Sequence, residues 1–447
     1  MNKYVLAGLM ICGLCLTPIS GQESDIFPYE YHIETLDNGL KIISIPLDNP
    51  QVISYYTVVR SGSRNEIEPG KSGFAHFFEH MMFKGTKNVP RKEYDDFLTE
   101  LGAGTNGYTT DDYTCYFVVF AGQENLDDVV KVEADRFINL YYDEEMLKTE
   151  APVIEGEYYS SVSNPGRRIH ELLRHTAFEK HSYKHTTLGY LEDIQDMPNQ
   201  YEYSRLYKKR FYAPDNTILL VAGDYDHTTL MQLVRQHYGG WEPSGYTLTT
   251  PEEPVQTEQK RAHYDWPGDT LPRLAVGFHG PAYSSEEIDK AALDLLAEMA
   301  FSNNSPLYQK LVVEEQKCLY LSADFPDRRD PYLLTINAVL KDKADLAYVE
   351  NEIFSTLEKH KAEPVPQEKL DAVKSNMKYS LARQLSTTDG IAGILAFYVN
   401  LEADPDTLNE LFNLYLTITP ADIQDMAGKY FKITNSTVAT LSGGGSQ

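Results

Sequence analysis

Two distant stretches of this chain follow one pattern, and that pattern restricts the fold more than any other feature. From Ile53 to Val59 a β-branched and aromatic run leads through Ser61-Gly62-Ser63 into a helical stretch ending Met81-Met82-Phe83. From Leu274 to Phe278 an apolar run leads through Gly280-Pro281-Ala282 into a helical stretch ending Met299-Ala300-Phe301. A strand, loop and helix that recur at this separation predict two copies of one domain. The length of 447 residues agrees, since it exceeds one ordinary core. The copies differ in chemistry. With Phe83 laid on Phe301, His76, Glu79 and His80 fall opposite Asp294, Ala297 and Glu298.

In the first copy the segment Ser72 to Thr86 reads as a short helix, with Ser72 as its N-cap and Gly85 as a left-handed terminator. His76, Glu79 and His80 stand at i, i+3 and i+4, which puts two imidazoles and a carboxylate on one face. Two such imidazoles can reach one zinc ion, and catalytic zinc takes a third protein ligand and keeps a fourth position free. A carboxylate beside that position can serve as a base. The order His-x-x-Glu-His is the inverse of the commoner zinc-peptidase motif. Candidates for the third ligand are Glu150, Glu155 and Glu157. Glu150 and Glu157 share a face if their segment is helical throughout, and spacing alone leaves the choice open. Pro152 predicts a helix that begins near Ala151, because proline is tolerated in a first turn but not in an interior.

The remaining pattern alternates strands and helices. A hairpin turns at Asp37-Asn38-Gly39. Strands are predicted at Tyr113 to Phe120, Asn216 to Ala222, Tyr332 to Leu340 and Ser436 to Ser442. Gly102 to Gly107 reads as a helix break. Helices are predicted at Arg91 to Leu101, Leu126 to Leu140, Ala151 to Phe178, Met197 to Phe211, Leu307 to Glu315, Leu346 to His360, Gln367 to Gln384 and Ala421 to Lys429. From Tyr238 to about Lys260 the periodicity dissolves into Gly, Pro, Ser, Thr and Glu, as in an interdomain linker.

Residues 1–21 carry Lys3, then an apolar run from Val5 to Leu16, then small residues, the form of a cleaved export signal. The expected organisation is therefore a signal peptide (1–21), a zinc-binding catalytic domain (22–240), a linker (241–262) and a second domain without zinc ligands (263–447). No later stretch is a transmembrane candidate, and a periplasmic location is expected. The net charge of -26 argues against nucleic acid and anionic membranes as partners. That charge serves solubility first, and could also favour cationic peptides. Cys115 and Cys318, the two cysteines beyond the signal, read as small buried residues.

The run His76-Phe77-Phe78-Glu79-His80-Met81-Met82-Phe83-Lys84-Gly85-Thr86 resembles the zinc helix of the insulinase/pitrilysin metallopeptidases, the M16 family. In length the chain is most similar to the short bacterial branch related to the mitochondrial processing peptidase. Asp37-Asn38-Gly39-Leu40, Gly62-Ser63-Arg64, Asn106 with Thr109, and Tyr212-Ala213-Pro214-Asp215-Asn216 extend the likeness in the right order. The resemblance implies an α+β fold of two related α/β-roll domains, each a mostly antiparallel sheet with helices packed on one face. It implies one Zn2+ per chain held by His76, His80 and Glu157, with Glu79 as general base and Glu150 as a second acidic residue supporting the site. It matches Asn106, as a substrate-binding residue, to the family's asparagine beside the strand that holds the substrate backbone, and it implies a zinc-dependent endopeptidase acting on peptides.

Family members that work alone carry an Arg and a Tyr, seven apart, in the second half. Here Tyr320 is present but Val313 holds the arginine position. The resemblance therefore implies a heterodimer with a related subunit that supplies the pair. The intact His-x-x-Glu-His argues against the alternative, a non-catalytic structural subunit.

Overall fold

The computed structural model describes residues 25–48 and 51–444. The expected signal peptide lies outside the described residues. Strands β1 (His32–Thr35), β2 (Lys41–Pro46), β3 (Val52–Val59), β4 (Gly104–Thr109), β5 (Thr114–Ala121) and β6 (Thr217–Gly223) form a sheet in the order β1-β2-β6-β3-β5-β4. Strands β7 (Lys260–Trp266), β8 (Arg273–His279), β9 (Cys318–Asp324), β10 (Leu333–Leu340) and β11 (Ser436–Gly443) form another in the order β7-β11-β8-β10-β9. With β1 set aside, the two paths are identical. In each sheet, with β1 still set aside, the strands that come first and last in chain order pair in parallel, β2 with β6 and β7 with β11. The remaining pairs are antiparallel. The chain is thus two mixed α/β domains built on one plan.

Helix α1 (Phe74–Met81) follows β3, and helices α2 (Glu144–Val162) and α3 (Pro165–Ala177) follow β5. In the second half helix α4 (Ile288–Phe301) follows β8, and helices α5 (Thr388–Leu401) and α6 (Thr407–Thr417) precede β11. The expected single helix from Ala151 to Phe178 is two, because Asn164 accepts from the backbone N–H groups of Gly166 and Arg167 and restarts the chain as α3. The first of the two starts at Glu144, seven residues before the position expected from Pro152. Pro152 sits in the interior of α2 on its solvent face, as does Lys148, whose carbonyl loses its helical donor there. A carbonyl on that side can turn to water, so the helix continues.

Three strands escape the sequence pattern: β4, β7 and β9. All three lie at sheet edges. An edge strand buries less of itself, so its apolar periodicity is weak. In β4 the sequence Gly-Thr-Asn-Gly-Tyr-Thr has no apolar run, and residues 104–106 are exposed. Helices α5 and α6 also escape it.

Each half packs its own helices on one face of its sheet, as expected, and the second face is covered by a helix of the other half. Ile42, Tyr55, Val118 and Leu219 pack with α1 and its neighbours on one side of the first sheet. On the other side Ile43, Tyr56, Val58 and Leu220 meet Ile391, Leu395 and Val399 of α5. Reciprocally, Ala275, Ala439 and Leu441 of the second sheet meet Ile169, Leu173 and Ala177 of α3. Gly277 faces Leu173 so closely that a Cβ would come within 3.2 Å of it. Neither half can bury both faces of its sheet alone. Between the sheets, 239–259 holds neither helix nor strand but is clamped. Glu253 accepts from the backbone N–H groups of Glu179, Lys180 and His181. Cys115 and Cys318 are free and buried, as expected. Among the described residues no helix is long and apolar enough to cross a membrane.

Candidate metal centre

Helix α1 starts where Gly73 takes a left-handed conformation (φ 93°), and its N-terminus is capped from a distance. The Glu66 carboxylate accepts from the backbone N–H of Gly73 at 2.8 Å and of Ala75 at 2.6 Å. This corrects the expected Ser72 cap, since the Ser72 hydroxyl donates to Asp193 instead. Burial pushes the Glu66 carboxyl up to about 8, against the pull of those N–H donors. Phe74, Phe77, Phe78 and Met81 bury one face of α1, and the Phe78 ring stacks on Tyr207 at 5.3 Å. Because apolar and polar positions segregate by the helical period, His76, Glu79 and His80 are left on the opposite face.

That face meets α2. His76 Nε2 and His80 Nε2 each lie 3.4 Å from the same Glu157 oxygen, Oε2. Ligand atoms of the three residues all fall within 4.8 Å of one another. Ligands about 2.0–2.1 Å from a tetrahedral zinc stand about 3.3–3.4 Å apart. The donor set therefore fits zinc in type and in spacing. His76 Nδ1 is buried with no hydrogen-bond partner, so its ring has nothing but this cluster to satisfy it. The Glu157 side chain is 45% exposed, which leaves the cluster open on one side, as a catalytic rather than a structural site requires.

The flanking groups set protonation. Glu150 Oε1 lies 2.9 Å from His80 Nδ1, and its other oxygen pairs with Lys84. This carboxylate orients the ring and directs its Nε2 at the cluster, a common arrangement behind zinc histidines. The His80 contact and the Lys84 ammonium outweigh burial and hold the Glu150 carboxyl down, at about 2. The two histidines shift in opposite directions. Burial and the neighbouring His80 pull His76 down to about 4, so it is a neutral ligand. The Glu150 hydrogen bond raises His80, against burial. Burial raises the Glu79 carboxyl, against the hydroxyl of Thr109, which donates to Glu79 Oε2 at 2.5 Å. A carboxylate so raised is a better proton acceptor at neutral pH.

His76, Glu79 and Glu157 line a cavity of about 1210 Å³ between the halves, with Tyr320, Asp324 and Asn337 on its far wall. Thr109 ends β4, whose outer edge has no strand partner among the described residues. Asn106 sits exposed on that strand, its amide oxygen accepting from Gly107 N–H. Glu155 points away from the cluster, toward Gln195 and Tyr159. Val313 is exposed. Sequence reasoning missed Glu66 and Lys84. For Glu66 no local signal exists, since its partners are backbone groups seven and nine residues on. Lys84 stands four residues after His80, a spacing at which a cation can share the histidine's acidic partner.

Residues 43–190 match the family described as Insulinase (Peptidase family M16), and residues 200–377 match the Peptidase M16 inactive domain. The chain is 30% identical to the zinc protease PqqE of Helicobacter pylori over 91% of each chain. It is 25% identical to the uncharacterized zinc protease YmxG of Bacillus subtilis, over 89% of this chain and 95% of that one. Its fold is similar to the crystal structure of a protease from Helicobacter pylori, with a TM-score of 0.85 and 28% identity, covering 93% of this chain and 99% of the other.

Proposed function

As a member of the insulinase (M16) family the chain is a zinc-dependent metalloendopeptidase acting on peptides, and we propose that its targets are short or unfolded polypeptides outside the cytoplasm. The observation that carries this reading is the convergence of two imidazoles and one carboxylate oxygen beside Glu79 on a cavity wall. In our reading His76, His80 and Glu157 hold the zinc. When bound, the ion supplies a Lewis acid that polarises the scissile carbonyl and acidifies a water. Glu79 takes the proton of the attacking water and returns it to the leaving amine. Thr109 holds Glu79 through its hydroxyl, and Glu150 holds His80. A peptide would bind as an added strand on the free edge of β4, near Asn106, which is β-augmentation. Such binding reads backbone rather than side chains and so favours extended, unfolded chains.

Export to the periplasm rests on the N-terminal pattern of residues 1–21. The proposed domain limits are 22–240 and 263–447, joined by 241–262. A related partner subunit would supply the Arg and Tyr pair, since Val313 stands at the arginine position of this chain. Purification of the chain alone with full activity would count against that partner.

The test is cleavage of a fluorogenic peptide with and without chelator, with metal content measured in parallel. Loss on chelation and recovery on adding zinc is the expected result. Chelator-insensitive cleavage would remove the metallopeptidase assignment.

A further inference from the structure

The chain carries an excess of acid, yet two guanidinium groups on the cavity wall have no acidic partner among the described residues. Arg273 opens β8, and Arg167 sits in the first turn of α3; both line the cavity that holds His76, Glu79 and Glu157. The other arginines of that wall are neutralised. Arg174 and Arg328 share Asp111, at 2.8 and 3.2 Å. By contrast Arg273 Nε is buried without a hydrogen-bond acceptor, and burial pulls its guanidinium below its usual range with no carboxylate to resist. Leaving such a donor unsatisfied is costly, and a charged one more so.

The placement of Arg273 adds to the cost. Its Nη1 lies 3.5 Å from where a Cβ on Gly166 would stand, against the first turn of α3. A cation at a helix N-terminus has the wrong sign for the dipole. An anion between Arg273, Arg167 and that turn would offset the guanidinium charge through its other N–H donors and would have the right sign for the dipole. No carboxylate of the wall can do so. Glu171 is engaged by Arg168 at 2.7 Å. Arg273, Val339 and Tyr320 form one cross-strand row, so Tyr320 stands about 10 Å from Arg273, two strand spacings away. Asp324 is four residues further along β9, about 13 Å beyond Tyr320.

We propose that Arg273, with Arg167, is a carboxylate-binding subsite of the peptidase cavity that selects peptides bearing an anionic group. The proposal rests on the peptidase reading above. The carboxylate has two possible sources, an acidic side chain or the free C-terminus, and both satisfy the same fork of N–H donors. An Arg in this role reads the planar group bidentately, which a lysine cannot reproduce.

The experiment measures kcat and KM of the wild-type enzyme, together with any subunit that co-purifies with it, on four versions of one fluorogenic peptide: an internal Glu or its Gln counterpart, each with a free or an amidated C-terminus. The expected result is a preference of about tenfold or more in kcat/KM for one anionic version, mainly through KM. Preference for Glu over Gln assigns the subsite to a side chain; preference for the free acid over the amide assigns it to the terminus. Arg273→Gln should collapse that ratio toward one, and Arg273→Lys should restore it only in part. Arg167→Gln, at an exposed position that places no demand on folding, should reduce the ratio as well. Equal cleavage of all four versions, or a ratio unmoved by both Gln variants, overturns the proposal. Should the enzyme with its co-purifying subunits cleave no version, the peptidase reading falls, and fluorescence anisotropy of the same labelled peptides still decides whether the arginines prefer an anion.

Discussion

Helices α1 and α4 occupy the same place in two copies of one fold, and they treat their polar residues in opposite ways. In α1, His76 and His80 converge on Glu157, and His76 Nδ1 is left without a partner. In α4 the acid opposite His76 is Asp294, and it is saturated. It accepts from Lys290 and, at 2.7 Å, from the Tyr415 hydroxyl of α6; Lys290 in turn reaches Asp327 at 3.0 Å. In the second cluster Asp294 is held by Lys290 and Tyr415, and the cation Lys290 is answered by two carboxylates of the protein itself. The first cluster is answered only in part, on an open cavity wall. A polar helix face thus becomes a metal site where neighbouring elements supply donors without completing their bonds. It becomes a structural ion cluster where they complete them.

The largest expected effects break the first side of that comparison. His76→Ala removes a ligand and should abolish both zinc content and peptide cleavage, read by elemental analysis and the fluorogenic assay. Glu79→Gln should keep the metal but lower kcat by about 10²–10⁴-fold, the usual contribution of general acid–base catalysis. Native turnover by that variant would remove Glu79 from the role of base.

On the second side, Lys290→Met leaves Asp294 and Asp327 buried without their cation. It should destabilise the chain by about 3–5 kcal/mol in chemical denaturation while leaving zinc stoichiometry at one. Loss of zinc without loss of stability would show that the two clusters are coupled rather than alternative. Glu150→Gln tests the group behind His80 and should weaken metal affinity about 10–100-fold.

The smallest effect concerns the seam between the halves. Asp330 accepts from His181 at 2.9 Å and from Arg64 at 2.6 Å. Burial opposes ionisation there, but those donors outweigh it and hold the Asp330 carboxyl well below the usual carboxylate range. A carboxylate depressed on folding stabilises fully above its unfolded value of about 3.9, and that stabilisation is lost as pH falls through the folded value. Asp330→Asn should therefore cost about 1.5–3 kcal/mol at neutral pH. Its deficit against the wild type should shrink only below about pH 4. A deficit that did not shrink as pH fell below about 4 would remove the ionised Asp330 carboxylate from this role.

Much of this was legible because local periodicity carries it. The helical spacing of His76, Glu79 and His80 places them together, whatever surrounds them. The buried strands β3, β5, β6, β8, β10 and β11 announce themselves by apolar runs. What was not legible depends on partners far away in the chain. Helix α5 is apolar on nearly every side, so no amphipathic stripe marks it; its partner is the first sheet, more than 150 residues upstream. Edge strand β4 carries no core signal, although it supplies the Thr109 hydroxyl to Glu79.

The sequence by itself determined that two imidazoles and a carboxylate share one helix face and that the chain is a doubled domain, since both follow from the period of a helix and the repetition of a pattern. Only the tertiary structure decided that Glu157 rather than Glu155 faces the imidazoles, that α2 runs through Pro152, and that each half covers the other's sheet. Those outcomes depend on how separate elements pack, and the burial of a sheet's second face is a property of the pair of halves rather than of either segment.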